Sequence, residues 1–243
     1  MFELPEPALV VTEHRAEIKC CPCCGEEVRA PFPAGVSAPV QYGARFQSLM
    51  VYLNQQQLLP YDRLARLCED LFGQPLSAAT LAAANERAYE KLEPFAQALV
   101  NQVPQAPVVH LDESGLRVEG TLHWLHVAST AEHPRLKPGQ GCCAQSKAAN
   151  LLDRLEEFDL CVLAFLIDER VPFTNNQGEQ DIRMVKVRQK ISGCFRTLRG
   201  AQIFCRIRSY LSTCRKQGRN LWEAIQMALV GRPFIPSCPA AGP

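Results

Sequence analysis

The sequence lacks a long hydrophobic run. The longest apolar stretch of note, Leu160 to Ile167, is far shorter than the roughly 20 residues that a membrane-spanning helix needs. The first residues, MFELPEPALVVTEHR, have neither a basic start nor a hydrophobic signal core, so nothing directs the chain to secretion. We therefore expect a cytoplasmic protein with no membrane partner.

Cysteine is too sparse for a disulfide scaffold. The 12 cysteines are about 5 % of the 243 residues, below the roughly 8 to 10 % that is typical of such scaffolds. Several stand in adjacent pairs, which cannot readily bond each other. The sequence therefore favours reduced thiols or a metal site. The hydrophobic fraction of 47 % and the charged fraction of 21 % are ordinary globular values.

Acidic residues are absent from one segment of the chain. Between Arg183 and Arg219 there are 11 Lys and Arg and no Asp or Glu, which leaves 15 of the 26 basic residues beside all 25 acidic ones. The net charge of +1 thus divides into +11 and −10. This asymmetry favours a face for a polyanion, of which nucleic acid is the commonest. The plainer alternative is a solvated helical surface.

Proline, glycine and hydrophobic periodicity divide the chain into parts. The length indicates one main folded unit with a smaller appendage. The expected parts are an irregular segment that carries CCPCCG, a helical region, a region of strands followed by helices, and a tail, at residues 1–43, 44–104, 105–230 and 231–243.

The helical region contains three predicted helices. Apolar residues recur at helical spacing from Phe46 and again from Leu64. Gly73 is expected to end the second helix and Ser77 to cap the third. The short connection from Phe72 to Ser77 resembles a helix-turn-helix, although such hairpins are more often plain packing units.

The next region is predicted to begin with an antiparallel three-strand meander. The expected strands and turns are Val108 to Leu111, a turn at Ser114-Gly115, Leu116 to Glu119, a turn at Gly120-Thr121, and Leu122 to Ala128. Residues 131–143 resemble a loop. Helical periodicity then predicts a helix from Leu151 to Leu166, one from Asn175 or Asn176, and a long one near Gly200 with Ile203, Ile207, Tyr210, Leu211 and Cys214 on one stripe.

Two carboxylates are candidates for chemistry. Asp112 is expected at a strand end, where a carboxylate is suited to a divalent metal, although Asp before Ser-Gly is also a common turn former. Glu179 is expected in the first turn of a helix, where it is either a metal ligand or a residue that matches the helix dipole. The basic residues that follow Glu179 on the same helix favour the first alternative, because phosphodiester chemistry combines a metal-binding acid with a phosphate-binding face.

Four stretches carry a resemblance to a known family. They are APVQYGARFQSLMVYLNQQQLLPYDRLARLCEDLFGQPLS from Ala38, VVHLDESGLRVEGTLHWLHVAST, QSKAANLLDRL from Gln145, and NNQGEQDIRMVKVRQKISGCFRTLRGAQIFCRIRSYLSTCRKQG. Together they cover most of the chain. The sequence resembles the transposases of the bacterial insertion-sequence 66 family, enzymes of DNA recombination that are encoded by a transposable element.

The resemblance implies a fold, a metal and a partner. It implies an α+β fold with a ribonuclease-H-like core of the integrase type, in which an Asp, Asp, Glu triad holds two Mg²⁺ or Mn²⁺ ions. Asp112 matches the first acid and Glu179 matches the last. The implied partner is the DNA of the insertion-sequence ends, together with a second copy or an intact transposase. The residues expected to contact DNA phosphates are Arg183, Lys186, Arg188, Lys190, Arg206 and Arg208.

The middle acid has no counterpart. In the family a strand with an Asp-Gly-Trp-like motif precedes the QSKA stretch, whereas here Thr130 is followed within fifteen residues by Gln145. Three later acids, Asp153, Asp159 and Asp168, match other family positions. We therefore expect an internally deleted core with a bare sheet edge and an uncovered apolar face.

The deletion predicts a defect in catalysis. We expect the protein to cleave DNA negligibly but to retain DNA binding. Loss of one metal ligand from a set of acids that acts as a unit removes most of the rate effect of that set. Two alternatives remain: a non-catalytic DNA-binding regulator of the intact transposase, and a poorly soluble product without function.

The cysteine cluster predicts part of a zinc site. Cys21 and Cys24 form a Cys-Pro-x-Cys-Gly half-site that suits two thiolates on one Zn²⁺. Family members carry another such pair upstream, so we expect a chain truncated at its N-terminus. His14 is either an extra ligand or a surface residue. The histidines His110, His123 and His126 are expected to be strand residues, with the last two on opposite faces.

Overall fold

A computed structural model describes residues 1–140, 168, 170–172 and 174–237. This part of the chain contains seven α-helices and two antiparallel sheets. The strands are β1 (Ile18–Cys20), β2 (Glu27–Arg29), β3 (His110–Val118), β4 (Thr121–Ser129) and β5 (Pro134–Gln140). The helices are α1 (Ala44–Val51), α2 (Tyr61–Phe72), α3 (Ala78–Lys91), α4 (Glu93–Gln102), α5 (Asn176–Ser192), α6 (Leu198–Lys216) and α7 (Leu221–Leu229). A π-helical turn, Tyr52–Gln56, follows α1.

The ends of the second and third helices follow local rules. Gly73 adopts φ 60° at the end of α2, the left-handed conformation that glycine accepts without strain. The Ser77 hydroxyl accepts a hydrogen bond of 3.1 Å from the backbone N–H of Thr80 at the start of α3. Both predicted helix ends are confirmed.

The larger sheet has the order β3-β4-β5, with β4 in the centre. A two-residue turn joins β3 to β4, with Glu119 at φ 52° and Gly120 at φ 79°. Turns of this left-handed kind match the twist of the paired strands. The pairing extends from Val118 opposite Thr121 to His110 opposite Ser129.

This register corrects two parts of the predicted meander. The turn at Ser114-Gly115 is wrong, because both residues lie inside β3 and pair with Leu125 and Trp124. Asp112 is therefore the third residue of a long strand and not the last residue of a short one.

The third strand also differs from the prediction. It is Pro134–Gln140, within the segment expected to be a loop. Pro134 and Pro138 suggested a loop. Among the described strands, however, β5 lies at the sheet edge, where a proline is tolerated although it has no N–H to donate to a neighbouring strand.

Two apolar clusters form the core and share α6. One unites the helical region with α6 and α7, and it contains Phe95, Ile207, Tyr210, Leu211, Cys214 and Ile225. The other lies between the sheet, α5 and α6, and it contains Leu116, Leu125, Val127, Ile182, Phe195 and Phe204. The apolar stripe predicted on the long helix near Gly200, which is α6, is confirmed, with Ile203 partly buried at its edge. The regions 44–104 and 105–230, expected as separate parts, thus share a core.

The sheet is more covered than expected. Its face with Leu116 and Leu125 is buried against α5 and α6, so the expectation of an uncovered apolar face is wrong for this side. The opposite face exposes Leu111 and Leu122. His123 and His126 lie on opposite faces, as predicted, because successive strand residues alternate.

The remaining predicted helix, residues 151–166, and the QSKA stretch lie outside the described residues.

At the end of the described chain, Phe234 lies under the Arg219 guanidinium at 3.6 Å. The Pro236 carbonyl accepts a hydrogen bond of 2.6 Å from the side chain of Gln102. Part of the expected tail thus packs against the helices.

A buried ion pair joins α5 to α6 and to the sheet. The Asp181 carboxylate accepts from the Lys216 ammonium at 2.8 Å, from the Ser129 hydroxyl at 2.5 Å and from the Ser212 hydroxyl at 2.8 Å. The side chains of Asp181 and Lys216 are 5 % and 13 % exposed. Burial lowers the pKa of Lys216 below its usual value, and the hydrogen bond to Asp181 opposes that shift.

We predict that Lys216→Met lowers the free energy of unfolding by about 3 kcal/mol, because it leaves the Asp181 carboxylate buried without its cation. Urea unfolding measures this. Lys190→Met is the matched control, since Lys190 is exposed, and we expect a change below about 0.5 kcal/mol. Equal losses in the two variants would contradict the role of the pair.

Candidate metal and nucleic-acid site

Helix α5 approaches β3 closely at Gly178. A Cβ atom on Gly178 would lie 3.1 Å from the Cβ of Asp112 and 3.0 Å from Oδ1 of Asn175. These distances are tighter than ordinary carbon contacts of about 3.5 Å or more. The absence of a side chain at residue 178 therefore allows the first turn of α5 to pack directly beside Asp112.

Asn175 joins the start of α5 to β3. It directly precedes the helix, but its side chain makes no capping hydrogen bond. Instead, its Nδ2 donates to the Leu111 carbonyl at 2.9 Å, and its Oδ1 lies 3.2 Å from Nδ1 of His110. The sequence pattern did not predict this role of Asn175 or the role of Gly178. The only signal was a glycine in the first turn of a helix, where it is unfavourable without a packing reason.

The two predicted acids lie at this junction. Asp112 is partly buried on β3, and its Oδ1 accepts a hydrogen bond of 2.7 Å from the backbone N–H of Glu113. Glu179 is exposed in the first turn of α5 and directly follows Gly178. The N-terminal end of a helix favours negative charge. Asp112 on β3 and Glu179 at the start of α5 therefore both lie near the Gly178 contact, at the corner where β3 meets α5.

The donors at this corner suit a hard cation, but they are few. Carboxylate oxygens are the ligands that Mg²⁺ and Mn²⁺ prefer. Among the described residues, no group of three or more His, Cys, Asp or Glu side chains is placed to hold a metal ion. The corner as described thus does not supply the ligand set of a two-metal centre.

Of the three later acids, Asp153 and Asp159 lie outside the described residues. Asp168 forms an ion pair of 2.6 Å with Arg170, which lowers the pKa of its carboxyl to about 2. Asp168 is therefore engaged in a local pair.

A stripe of charge extends along α5 from Glu179. A helix repeats every 3.6 residues, so positions i, i+4, i+7 and i+11 share one face. Glu179, Arg183, Lys186 and Lys190 have this spacing and are all exposed. The Lys186 ammonium also donates to the Gly115 carbonyl of β3 at 3.3 Å. We call Arg183, Lys186 and Lys190 the α5 stripe.

Arg188 lies on the other side of α5. Its guanidinium carbon is 3.6 Å from the Phe195 ring centre and 5.2 Å from that of Phe204. Burial lowers its pKa to about 10, and its Nη1 is buried with no hydrogen-bond partner among the described residues. The predicted phosphate contact at Arg188 is therefore separated from the α5 stripe.

Arg206 and Arg208 also serve internal contacts. Arg206 lies 3.6 Å from the ring centre of Tyr89 and forms an ion pair of 2.5 Å with Glu93. Arg208 is 6 % exposed and donates to Oε1 of Gln56 at 2.7 Å. Of the six residues expected to contact DNA, only the three of the α5 stripe share one exposed surface.

The cysteine cluster lies in the turn of the β1–β2 hairpin. Backbone N–H groups of Cys24 and then Cys23 hydrogen-bond the Cys21 sulfur and lower the pKa of its thiol, and the Cys24 thiol contributes less. Gly25, at φ 73°, completes the turn. The Cys20 thiol instead donates to the Gly25 carbonyl at 3.3 Å. Cys21 and Cys24 thus form a pair, with no third ligand among the described residues.

Comparison with known proteins decides the family. The family model described as Transposase IS66 family matches residues 39–140 and 133–203, which is more than half of the chain. The chain belongs to the IS66 family of transposases. Membership implies a function in DNA transposition, DNA binding and a requirement for a divalent metal ion.

Neither a curated protein nor a solved structure matches this IS66 family chain. In the described part of the chain, no helix combines the length and the apolar character needed to cross a membrane.

We predict that Asn175→Ala lowers the free energy of unfolding by about 1 to 2 kcal/mol, because the Leu111 carbonyl loses its donor. It also speeds amide hydrogen exchange in the first turn of α5. Asn176→Ala is the matched control, because Asn176 is exposed and makes no side-chain hydrogen bond to any described residue. Identical exchange in both variants would contradict the role of Asn175.

Proposed function

We propose that this transposase binds the ends of its insertion sequence through the α5 stripe and has lost most of the strand cleavage and transfer of its family. The observation that carries the proposal is the row of exposed charges on α5, Glu179 followed by the α5 stripe, which begins beside the contact between Gly178 and Asp112. Metal-binding carboxylates beside a row of cations suit phosphodiester chemistry. We further propose a ribonuclease-H-like core and a cytoplasmic location.

The proposed defect rests on the ligand count. A two-metal displacement needs a carboxylate that bridges the ions, and the described corner offers only Asp112 and Glu179. The family match is divided into two segments that overlap at residues 133–140, next to the place where the sequence analysis expects the missing acid. This division supports the loss of an internal segment.

A non-catalytic DNA-binding regulator is the second candidate. The same geometry favours it, since the α5 stripe does not depend on the missing acid. Such a regulator would compete with an intact transposase for the insertion-sequence ends, or would assemble with it.

The zinc site is proposed as a partial one. The hydrogen bonds to the Cys21 sulfur favour its thiolate, and thiolates are the usual ligands of structural Zn²⁺. The other two ligands of a tetrahedral site would come from outside the described residues or from a second copy.

We predict no more than trace strand cleavage of a DNA that carries the insertion-sequence ends, with Mg²⁺ or Mn²⁺ present. Gel analysis of end-labelled DNA measures this beside Asp112→Asn. Cleavage that Asp112→Asn abolishes would contradict the proposed defect, because it would mean that another residue completes the metal site.

We also predict that replacing Arg183, Lys186 and Lys190 together by Gln weakens DNA binding and reduces the slope of log Kobs against log salt by about 2 to 3. Fluorescence anisotropy at several salt concentrations measures both. The matched control replaces Arg45, Lys91 and Arg232, which are exposed and lie outside α5. The same loss of slope in both triple variants would contradict a DNA face on α5.

A further inference from the structure

A polar cleft of about 240 Å³ lies between α5 and α6, away from the α5 stripe. Its charged lining consists of Asp181 from α5 and Arg208, Arg215 and Lys216 from α6. Each residue advances a helix by about 100°, so Asp181 lies about 160° around α5 from Glu179. The cleft is therefore a surface distinct from the proposed DNA face.

The cleft has an excess of positive charge. Both oxygens of Asp181 are already engaged, Oδ2 by Lys216 and Ser129 and Oδ1 by Ser212. Lys216 thus has its counter-charge in Asp181. Among the described residues, neither Arg208 nor Arg215 forms an ion pair with a carboxylate. The described lining therefore has three cations against one carboxylate, an excess of two positive charges.

Arg208 is held in place by the π-helical turn that follows α1. Its side chain is 6 % exposed, and its Nη1 donates to the Gln56 side chain at 2.7 Å and to the Gln55 carbonyl at 3.4 Å. Its Nε and Nη2 donate to none of the described residues. Burial lowers the pKa of Arg208 to about 10, the positive charge of Arg215 adds to this shift, and the negative charge of Asp181 opposes it. A buried cation beside a second cation is costly unless an anion accompanies them.

We propose that this cleft binds a phosphate-type oxyanion between Arg208 and Arg215. Guanidinium groups bind such oxyanions with paired hydrogen bonds, and Gln180 provides a neutral donor in the same lining. The volume admits a tetrahedral anion with some water, since a water molecule occupies about 30 Å³. The phosphate belongs either to a small anion or to a nucleic-acid backbone. A competition experiment distinguishes these two sources.

The test is calorimetric titration of inorganic phosphate into the full chain, at an ionic strength held constant with chloride. We expect saturable binding to the unmodified protein, weakened about tenfold in Arg215→Gln through loss of a charged hydrogen-bond donor. Arg215 is exposed and its side chain forms no hydrogen bond or ion pair with the described residues, so the fold is expected to persist, and circular dichroism verifies it. Arg63→Gln, an exposed arginine on α2, is the matched control.

The source of the phosphate follows from competition with a short DNA duplex at the same ionic strength. Phosphate that lowers DNA affinity in the unmodified protein but not in Arg215→Gln identifies a backbone phosphate, and phosphate without such an effect identifies a small anion. Either result supports the site. Absence of saturable phosphate binding, or equal affinity in Arg215→Gln, overturns it. We expect the variant with Gln at all three positions of the α5 stripe to keep phosphate binding. A failure of the DNA-binding proposal can therefore be distinguished from a failure of the phosphate site.

Discussion

The close packing of α5 on β3 at Gly178 is the constraint on which the candidate site depends. A side chain there would meet Asp112 and Asn175 within 3.1 Å, so the bare backbone sets both the distance and the rotation of α5. That rotation directs Ile182 and Val185 into the core and leaves the α5 stripe exposed. The contact at Gly178, which requires a residue without a side chain, therefore decides where the acids and the cations of the candidate site lie.

The long basic segment is less uniform than its charge suggests. The α5 stripe is exposed, whereas Arg188 stacks on Phe195 and Arg206 stacks on Tyr89. A third group, represented by Arg208, faces the cleft between α5 and α6. Helix α6 accounts for this division, because it packs against both apolar clusters and has little surface left for DNA. The +11 charge is thus divided among the proposed DNA contact, packing and the proposed anion site.

The parts of the fold that depend on local chemistry could be predicted from the sequence. Gly73 and Ser77 follow the rules for helix ends, and the apolar residues of α6 follow helical periodicity. The register of β3 could not be predicted, because the Glu119–Gly120 turn sets it and Ser114-Gly115 resembled a turn equally well. Asp112 and Glu179 were predicted from residue type and resemblance, and their roles as metal ligands stay predictions. Arg188 was grouped with the stripe because charge was counted along the chain, although its spacing of nine residues from Glu179 places it half a turn away.

Manganese binding tests the central claim that β3 and α5 bring two acids, and not a complete triad, to one corner. Electron paramagnetic resonance counts the Mn²⁺ ions bound by the full chain and by Asp112→Asn, Glu179→Gln and the exposed control Glu69→Gln. We predict one weakly bound ion per chain, lost in the first two variants and retained in the control. Two bound ions, or binding that neither Asp112→Asn nor Glu179→Gln changes, would contradict the account.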